Sequence, residues 1–404
     1  MAKLIQHISL IALIVLGLPA TAAIVGWRTD GTGRYPDADP PTTWSKSENV
    51  VWKRKLPTFS NATPVIVGNR IFVCSEPSTL ICVNAGNGKI LWQRTNTYED
   101  LQKAPEAVHP ENPGDVPGTH DNNGYTSPTP VSDGSRVFVL FGNGIAACYD
   151  LDGKRRWIRF VQKPTHLWGH CASPSLVDNR LVVHVLDVFA LDVETGKDLW
   201  RAESASQWGS PAPARIGDVG IVIIPFSGDV IRAADGKKLA SDIGKLSYAT
   251  PVIENGIAYF IENLSTAVQL PQTVTDNFVT KPLWQAKIKG SRHYASSVVH
   301  NGLIYAASRE GKFSVLDADD GKLVYQQAMG FGSDINSVYP SVTLAGNYIF
   351  IGCTEGITAV IKPGREYNEI ARNRLEGYRS SPVFIGNRLY LRGLEHLYCI
   401  GKAE

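Results

Sequence analysis

The stretch Tyr125-Thr-Ser-Pro-Thr-Pro-Val-Ser-Asp-Gly-Ser-Arg-Val-Phe-Val-Leu-Phe-Gly-Asn-Gly-Ile-Ala-Ala-Cys-Tyr-Asp-Leu-Asp-Gly-Lys-Arg-Arg-Trp157 decides the fold. It holds four short runs rich in β-branched and aromatic residues. Turns separate them at Ser132 to Ser135, Gly142 to Gly144 and Asp152 to Lys154. Asn-Gly and Asp-Gly turns of this kind join antiparallel neighbours, so the stretch reads as an up-and-down meander of four strands.

The same pattern recurs along the chain. Ala62-Thr-Pro-Val65 opens a copy that closes at Trp92, and Ser173-Pro174 opens one that closes at Trp200. Further copies open at Pro211, at Thr250-Pro251 (closing at Trp284), at Ser296-Ser297, at Tyr339-Pro340 and at Ser381-Pro382. With openings at 64, 128, 174, 211, 251, 297, 340 and 382, every gap but the first lies between 37 and 46 residues. That is the length of one four-stranded propeller blade. The eighth copy ends at His396-Leu-Tyr-Cys-Ile400 and lacks a fourth strand, while Asn49-Val-Val-Trp-Lys53 matches a fourth strand with no first three before it. Pairing the two ends closes the ring and removes two open sheet edges, which an open solenoid would leave exposed. The expected fold is all-β: an eight-bladed β-propeller of four-stranded antiparallel blades, closed by the N-terminal strand. It spans 49–404, after an extension over 24–48. Trp52, Trp92, Trp157, Trp200 and Trp284 share one slot on the outermost strand, where a large ring fills the wedge between blades.

Composition narrows the function. A net charge of +2 with 19% charged residues offers no basic stripe, and no nucleic-acid partner is expected. Residues 1–23 read as a cleaved secretory leader: Lys3, then an apolar run from Ile8 to Leu18, then Ala20-Thr-Ala22. That run is shorter than the ~20 residues of a membrane span, so the mature chain is expected to be exported, periplasmic, free of any transmembrane span and monomeric. Cys82, Cys148 and Cys399 occupy one slot of three different blades, too far apart for a disulfide, and read as buried free thiols.

The Ser/Thr-Pro-Val opening and the Ala-x-Asp-x-x-Gly-Lys-x-x-Trp close resemble the repeat of pyrroloquinoline-quinone-like (PQQ-like) propellers. His120-Asp-Asn-Asn-Gly-Tyr-Thr-Ser-Pro-Thr-Pro130 and Tyr149-Asp-Leu-Asp-Gly-Lys154 are similar to the exported propellers of this type in planctomycete-type bacteria. The resemblance covers Val50 to Gly401 and implies the fold. For function it implies either a quinone-dependent dehydrogenase using PQQ with calcium, or a scaffold like the outer-membrane assembly propeller. Quinoprotein dehydrogenases carry an adjacent Cys-Cys pair and a calcium site of Glu, Asn and Asp. This chain has no Cys-Cys dipeptide and no acidic cluster that matches. It also lacks the lipid-anchor cysteine of the assembly propeller. No cofactor is firmly expected, and no catalytic or metal-binding residue is assigned.

Loops carry function on rigid scaffolds, and the long connections all fall on the face where each innermost strand begins. The longest runs from Gln93 to Asn123, with a short helix expected at Tyr98 to Lys103. The slot three residues before each opening position gives Asn61, Tyr125, Cys171, Trp208, Tyr248, Tyr294, Ser337 and Arg379. The slot before it includes His170, Gln207, His293, Asn336 and Tyr378. Aromatic and hydrogen-bonding groups therefore converge on one funnel mouth. The expected ligand-binding set is His120, Asn123, Tyr125, His170, Trp208, Tyr248, His293, Tyr294 and Arg379, facing a small molecule, a carbohydrate or a protein. The competing reading makes these rings a plug. His166-x-x-x-His170 reads as a polar loop rather than a metal site, and Asp317-Ala-Asp-Asp-Gly321 as an ordinary turn. A non-catalytic binding propeller is the favoured function.

Overall fold

The computed structural model describes residues 24–108, 113–331 and 337–401; the proposed leader and Asn336 lie outside them. Eight sheets follow one another around a ring. Blades 1 to 7 span 65–95, 131–160, 175–202, 212–240, 252–287, 298–328 and 343–374. Blade 8 combines three strands over 383–400 with Val50–Lys55. That strand runs antiparallel to His396–Ile400, with Trp52 opposite Cys399 and Lys55 opposite His396, as the complementary chain ends predict. The helix Tyr98–Lys103 lies where expected, with a capping box between Thr97 and Asp100. Blade 7, which decays in the sequence near Pro363, nevertheless has all four strands.

Two repeated contacts hold neighbouring blades together. Inner strands such as Ile145–Asp150 are buried on both faces, because each blade is sandwiched between two others, so their side chains read as apolar runs. On the outer strand, each repeat tryptophan reaches into the next blade. The indole Nε1 of Trp52, Trp92, Trp157, Trp200 and Trp284 donates to the carbonyls of Ala85, Leu151, Val193, Ala233 and Ala318 at 2.8–3.0 Å. Each ring lies on the turn glycine of that next blade. A Cβ on Gly153 would meet Trp92 at 2.6 Å, and that glycine has φ +83°. The Asp-Gly-Lys turn is therefore a docking seat as well as a bend. Cys82, Cys148 and Cys399 pair across the ladder with Trp92, Trp157 and Trp52, and all six cysteines are unpaired thiols.

The second contact corrects the repeat register. Around the channel, the backbone N–H of the residue opening each innermost strand donates to a hydroxyl of the next blade. The order is Thr63, Thr129, Ser173, Ser210, Thr250, Ser296, Ser341, Ser381 and back to Thr63, with distances of 2.9–3.2 Å. This closed circle of eight bonds explains the Ser/Thr of the opening: it is the acceptor that stitches one blade to the last. It also sets the openings of blades 2 and 7 at Pro130 and Val342. The sequence register at Pro128 and Pro340 is two residues early, because Ser127-Pro128 and Tyr339-Pro340 mimic the signature just upstream of the true one.

The extension over 24–48 crosses the other end of the channel. Val25 bridges Ser132 on blade 2. The chain then crosses to the opposite side, where the buried Arg28 donates to the carbonyls of Ser297 and Val342 on blades 6 and 7. Arg34 pairs with Glu254 of blade 5 at 2.7 Å, and Arg34–Tyr35 adds a parallel strand beside Thr343–Ala345. Trp44 is then buried beside Phe350 before the chain enters blade 8.

Candidate functional site

In the corrected register, the mouth slot reads Asn61, Ser127, Cys171, Trp208, Tyr248, Tyr294, Tyr339 and Arg379. The aromatic members form a continuous belt. His166 meets Trp208 edge-on at 4.5 Å, Trp208 stacks on Tyr248 at 5.1 Å, Tyr248 meets Tyr294 edge-on at 4.9 Å, and Tyr294 stacks on Tyr339 at 4.7 Å. Arg379 caps the belt, its guanidinium 5.5 Å from the Tyr339 ring, and Arg292 lies 5.7 Å from Tyr248. Trp208, Tyr248 and Tyr294 are half-buried and Tyr339 is 39% exposed. Neither sequence reading describes this fully. The rings cover one another side by side around the mouth and leave edges and outer faces to solvent.

Arg379 closes the circle by donating to the backbone carbonyl and side-chain oxygen of Asn122, at the end of the long insertion. Asn123 accepts from Ser127 and from the Cys171 thiol, and Asn61 donates to Ser127 at 2.9 Å. Burial pushes that thiol up to about 12, so it is no nucleophile at neutral pH. His120 stacks on Trp168 at 3.9 Å, and Leu167 and Trp168 project at 86% and 51% exposure. Tyr125 stands outside the belt: its hydroxyl donates to the Pro117 carbonyl and its N–H to Glu76. His170 and His293 lie buried behind the rings, with His170 Nε2 at 3.1 Å from the Ala172 carbonyl and His293 Nδ1 at 3.2 Å from Asn263. Of the expected set, therefore, Trp208, Tyr248, Tyr294 and Arg379 gather at the surface of one mouth. His120 and Asn123 flank it, and Tyr125, His170 and His293 support it. Sequence reasoning missed Tyr339, through the two-residue slip, and Arg292, Arg309, Leu167 and Trp168, which carry no repeat signal.

Carboxylates near the mouth are occupied as staples. Glu76 accepts from the N–H groups of Tyr125 and Thr126 and from the Thr126 hydroxyl, and Glu262 from those of Ser247 and Tyr248. Burial raises both carboxyls, against the pull of these bonds. Burial also raises Glu310, but the hydroxyl and N–H of Ser291 more than offset it and bring the group to about 2. Glu376 holds His396 and Tyr398. Among the described residues, no three His, Cys, Asp or Glu side chains gather to hold a metal ion. A planar cofactor sandwiched between two rings needs them about 7 Å apart, twice the ~3.5 Å contact distance. The stacked pairs at 5.1 and 4.7 Å leave no such slot. The residues present do not fit a quinone with calcium.

The buried histidines give the domain a pH response. Burial lowers His170, His184 and His293 to about 4. The unfolded chain takes up protons below its ordinary value of 6.5 while the folded chain does not, so stability falls as pH drops from 6.5 to 4. At about 1.4 kcal/mol per pKa unit, the three together are worth several kcal/mol. Urea melts at pH 7 and pH 4.5 should show a clearly lower midpoint at pH 4.5, and His184→Leu should flatten the difference. Equal midpoints would show that these rings are protonated in the folded state.

Comparison with known proteins agrees with this architecture. Outer membrane protein assembly factor BamB of Moranella endobia (strain PCIT) is 24% identical over 344 residues, covering 79% of this chain and 77% of its own. The crystal structure of BamB from Moraxella catarrhalis superposes with TM-score 0.61 at 12% identity, over 88% of this chain and 98% of that one. A europium-containing methanol dehydrogenase superposes with TM-score 0.66 at 12% identity, over 93% of this chain and 98% of its own. An assembly factor and a dehydrogenase thus share the fold, and fold does not choose between them. The family model described as outer membrane protein assembly factor BamB, built on the PQQ-like repeat, matches residues 42–244, half of the chain. On that match, the chain belongs to the family of PQQ-like propeller-repeat proteins.

Proposed function

We propose that this chain is an exported, non-catalytic propeller that binds a protein partner on its mouth face, as a scaffold of the outer-membrane assembly type. The continuous aromatic belt carries the reading. It offers a broad rim of half-exposed rings rather than an enclosing pocket, and rings of this kind anchor protein interfaces. The exposed Leu167 and Trp168 extend the apolar surface across the same face. His170 Nε2, His293 Nδ1 and the mouth's carboxylates are committed to backbone and side-chain bonds, which suits a structural role for them. The assembly-factor relatives point the same way, and a partner in the cell envelope accords with a leader over 1–23.

The double substitution Trp208→Ala with Tyr248→Ala tests this. Stacking rings are worth about 1–3 kcal/mol each when truncated, so losing two should weaken partner binding about tenfold or more. The partner is found by crosslinking in the native envelope and its affinity measured by surface plasmon resonance. Melting temperature should change little, since these rings are half-exposed. A large fall in melting temperature with binding intact would make the belt a packed plug.

A further inference from the structure

The mouth is chemically lopsided. Arg292, Arg309 and Arg379 come from blades 6, 6 and 8 and surround the stacked Tyr294 and Tyr339. Arg292 Nη1 lies 3.4 Å from the Tyr294 hydroxyl. Arg309 is fixed by its Nε to the Ser337 hydroxyl at 3.3 Å, and Arg379 sits over Tyr339. Among the described residues none of the three forms an ion pair, whereas most other arginines near acidic groups do. The nearby Glu310 is held by Ser291 and Lys312 and forms no ion pair with any of the three. The Nε of Arg379 is buried without a partner. Arg292 and Arg379 lie over tyrosine faces, Arg309 is anchored by Ser337, and among the described residues none of the three has a carboxylate partner, a set that matches incoming carboxylates. Across the funnel, Leu167 and Trp168 offer exposed apolar surface.

We infer that the mouth recognises an acidic polypeptide segment in which carboxylates alternate with apolar side chains, with Arg292 and Arg309 taking the carboxylates, Arg379 adding positive charge beside them while it holds Asn122, and the belt, Leu167 and Trp168 taking the apolar groups. This rests on the protein-binding reading above and names the chemistry of the partner. Apolar contacts beside the arginines favour a polypeptide over an anionic polysaccharide, which has charge but no such side chains.

The test measures fluorescence anisotropy of labelled synthetic peptides with the full mature chain. A peptide alternating Glu with Leu should bind at least about tenfold tighter than the same peptide with Gln for Glu, as charged hydrogen bonds are lost. Its affinity should fall steeply with added salt. Arg292→Glu, at an exposed position, should weaken the Glu peptide about tenfold, while Arg292→Lys keeps more of the binding. The triple change of Arg292, Arg309 and Arg379 to Gln should abolish the preference for Glu over Gln. Equal binding of the two peptides, or unchanged binding by Arg292→Glu and the triple variant, overturns the inference. So does dextran sulfate displacing the Glu peptide from wild type while the Gln peptide and Leu167→Ser show no apolar contribution. In each case the envelope partner of the preceding section can still be captured and can still depend on Trp208 and Tyr248, which separates failure of this inference from failure of that reading.

Discussion

A chain that begins at Leu56 is expected to lose cooperative folding, or to survive only as aggregate. Removing Val50–Lys55 strips blade 8 of its outer strand and leaves His396–Ile400 as an unpaired edge. It also removes the Trp52 ring, whose Nε1 bond to the Ala85 carbonyl ties blade 8 to blade 1, and the whole base crossing of 24–48. A ring held by neighbour contacts opens where one contact is missing, so the loss is shared by every blade. A synthetic peptide of residues 46–55 added in trans should restore a single sharp calorimetric transition, and the same peptide with Trp52→Ala should restore much less. If the shortened chain alone melts sharply within a few degrees of the full chain, end-to-end pairing does not hold the ring.

The second large effect is expected at Trp157. It is 1% exposed, meets Phe138 at 6.2 Å, lies against Gly196 and donates to the Val193 carbonyl at 3.0 Å. Truncating a buried tryptophan costs about 3–5 kcal/mol, and the Val193 carbonyl loses its donor besides. Trp157→Ala should therefore lower the melting temperature by on the order of 10 °C. The same change at Trp284, which is only half-buried, should cost about half as much or less. Calorimetry of the two variants checks the ordering. Equal falls would mean that the outer-strand rings act through the shared indole bond rather than through burial.

The ring was legible because its repeat is a packing rule written in every copy: the opening hydroxyl, the turn glycine and the tryptophan above it each meet the next blade. What was not legible follows from the same physics. Thr126-Ser-Pro-Thr-Pro130 contains two candidate openings, and local pattern cannot choose between them. The choice is made by a bond from Thr129 N–H to the Ser173 hydroxyl of another blade. The same slip at Pro340 hid Tyr339 and placed Ser337 in the mouth. The belt itself could be anticipated from Trp208, Tyr248 and Tyr294, since their copies keep an unambiguous register. Their mutual stacking could not, because it depends on how far apart neighbouring blades stand. The base crossing had no signal at all: nothing around Arg28 marks it for burial, and its partners Ser297 and Val342 lie more than 250 residues away.

That crossing makes the ring blind on one side. Val25 bridges Ser132 on the side away from the aromatic mouth, and the crossing runs beneath it to Arg28. An affinity handle or surface linkage joined directly to Ile24 would leave from that covered side. A propeller fastened by that end would turn its arginines and rings outward, toward the visitor.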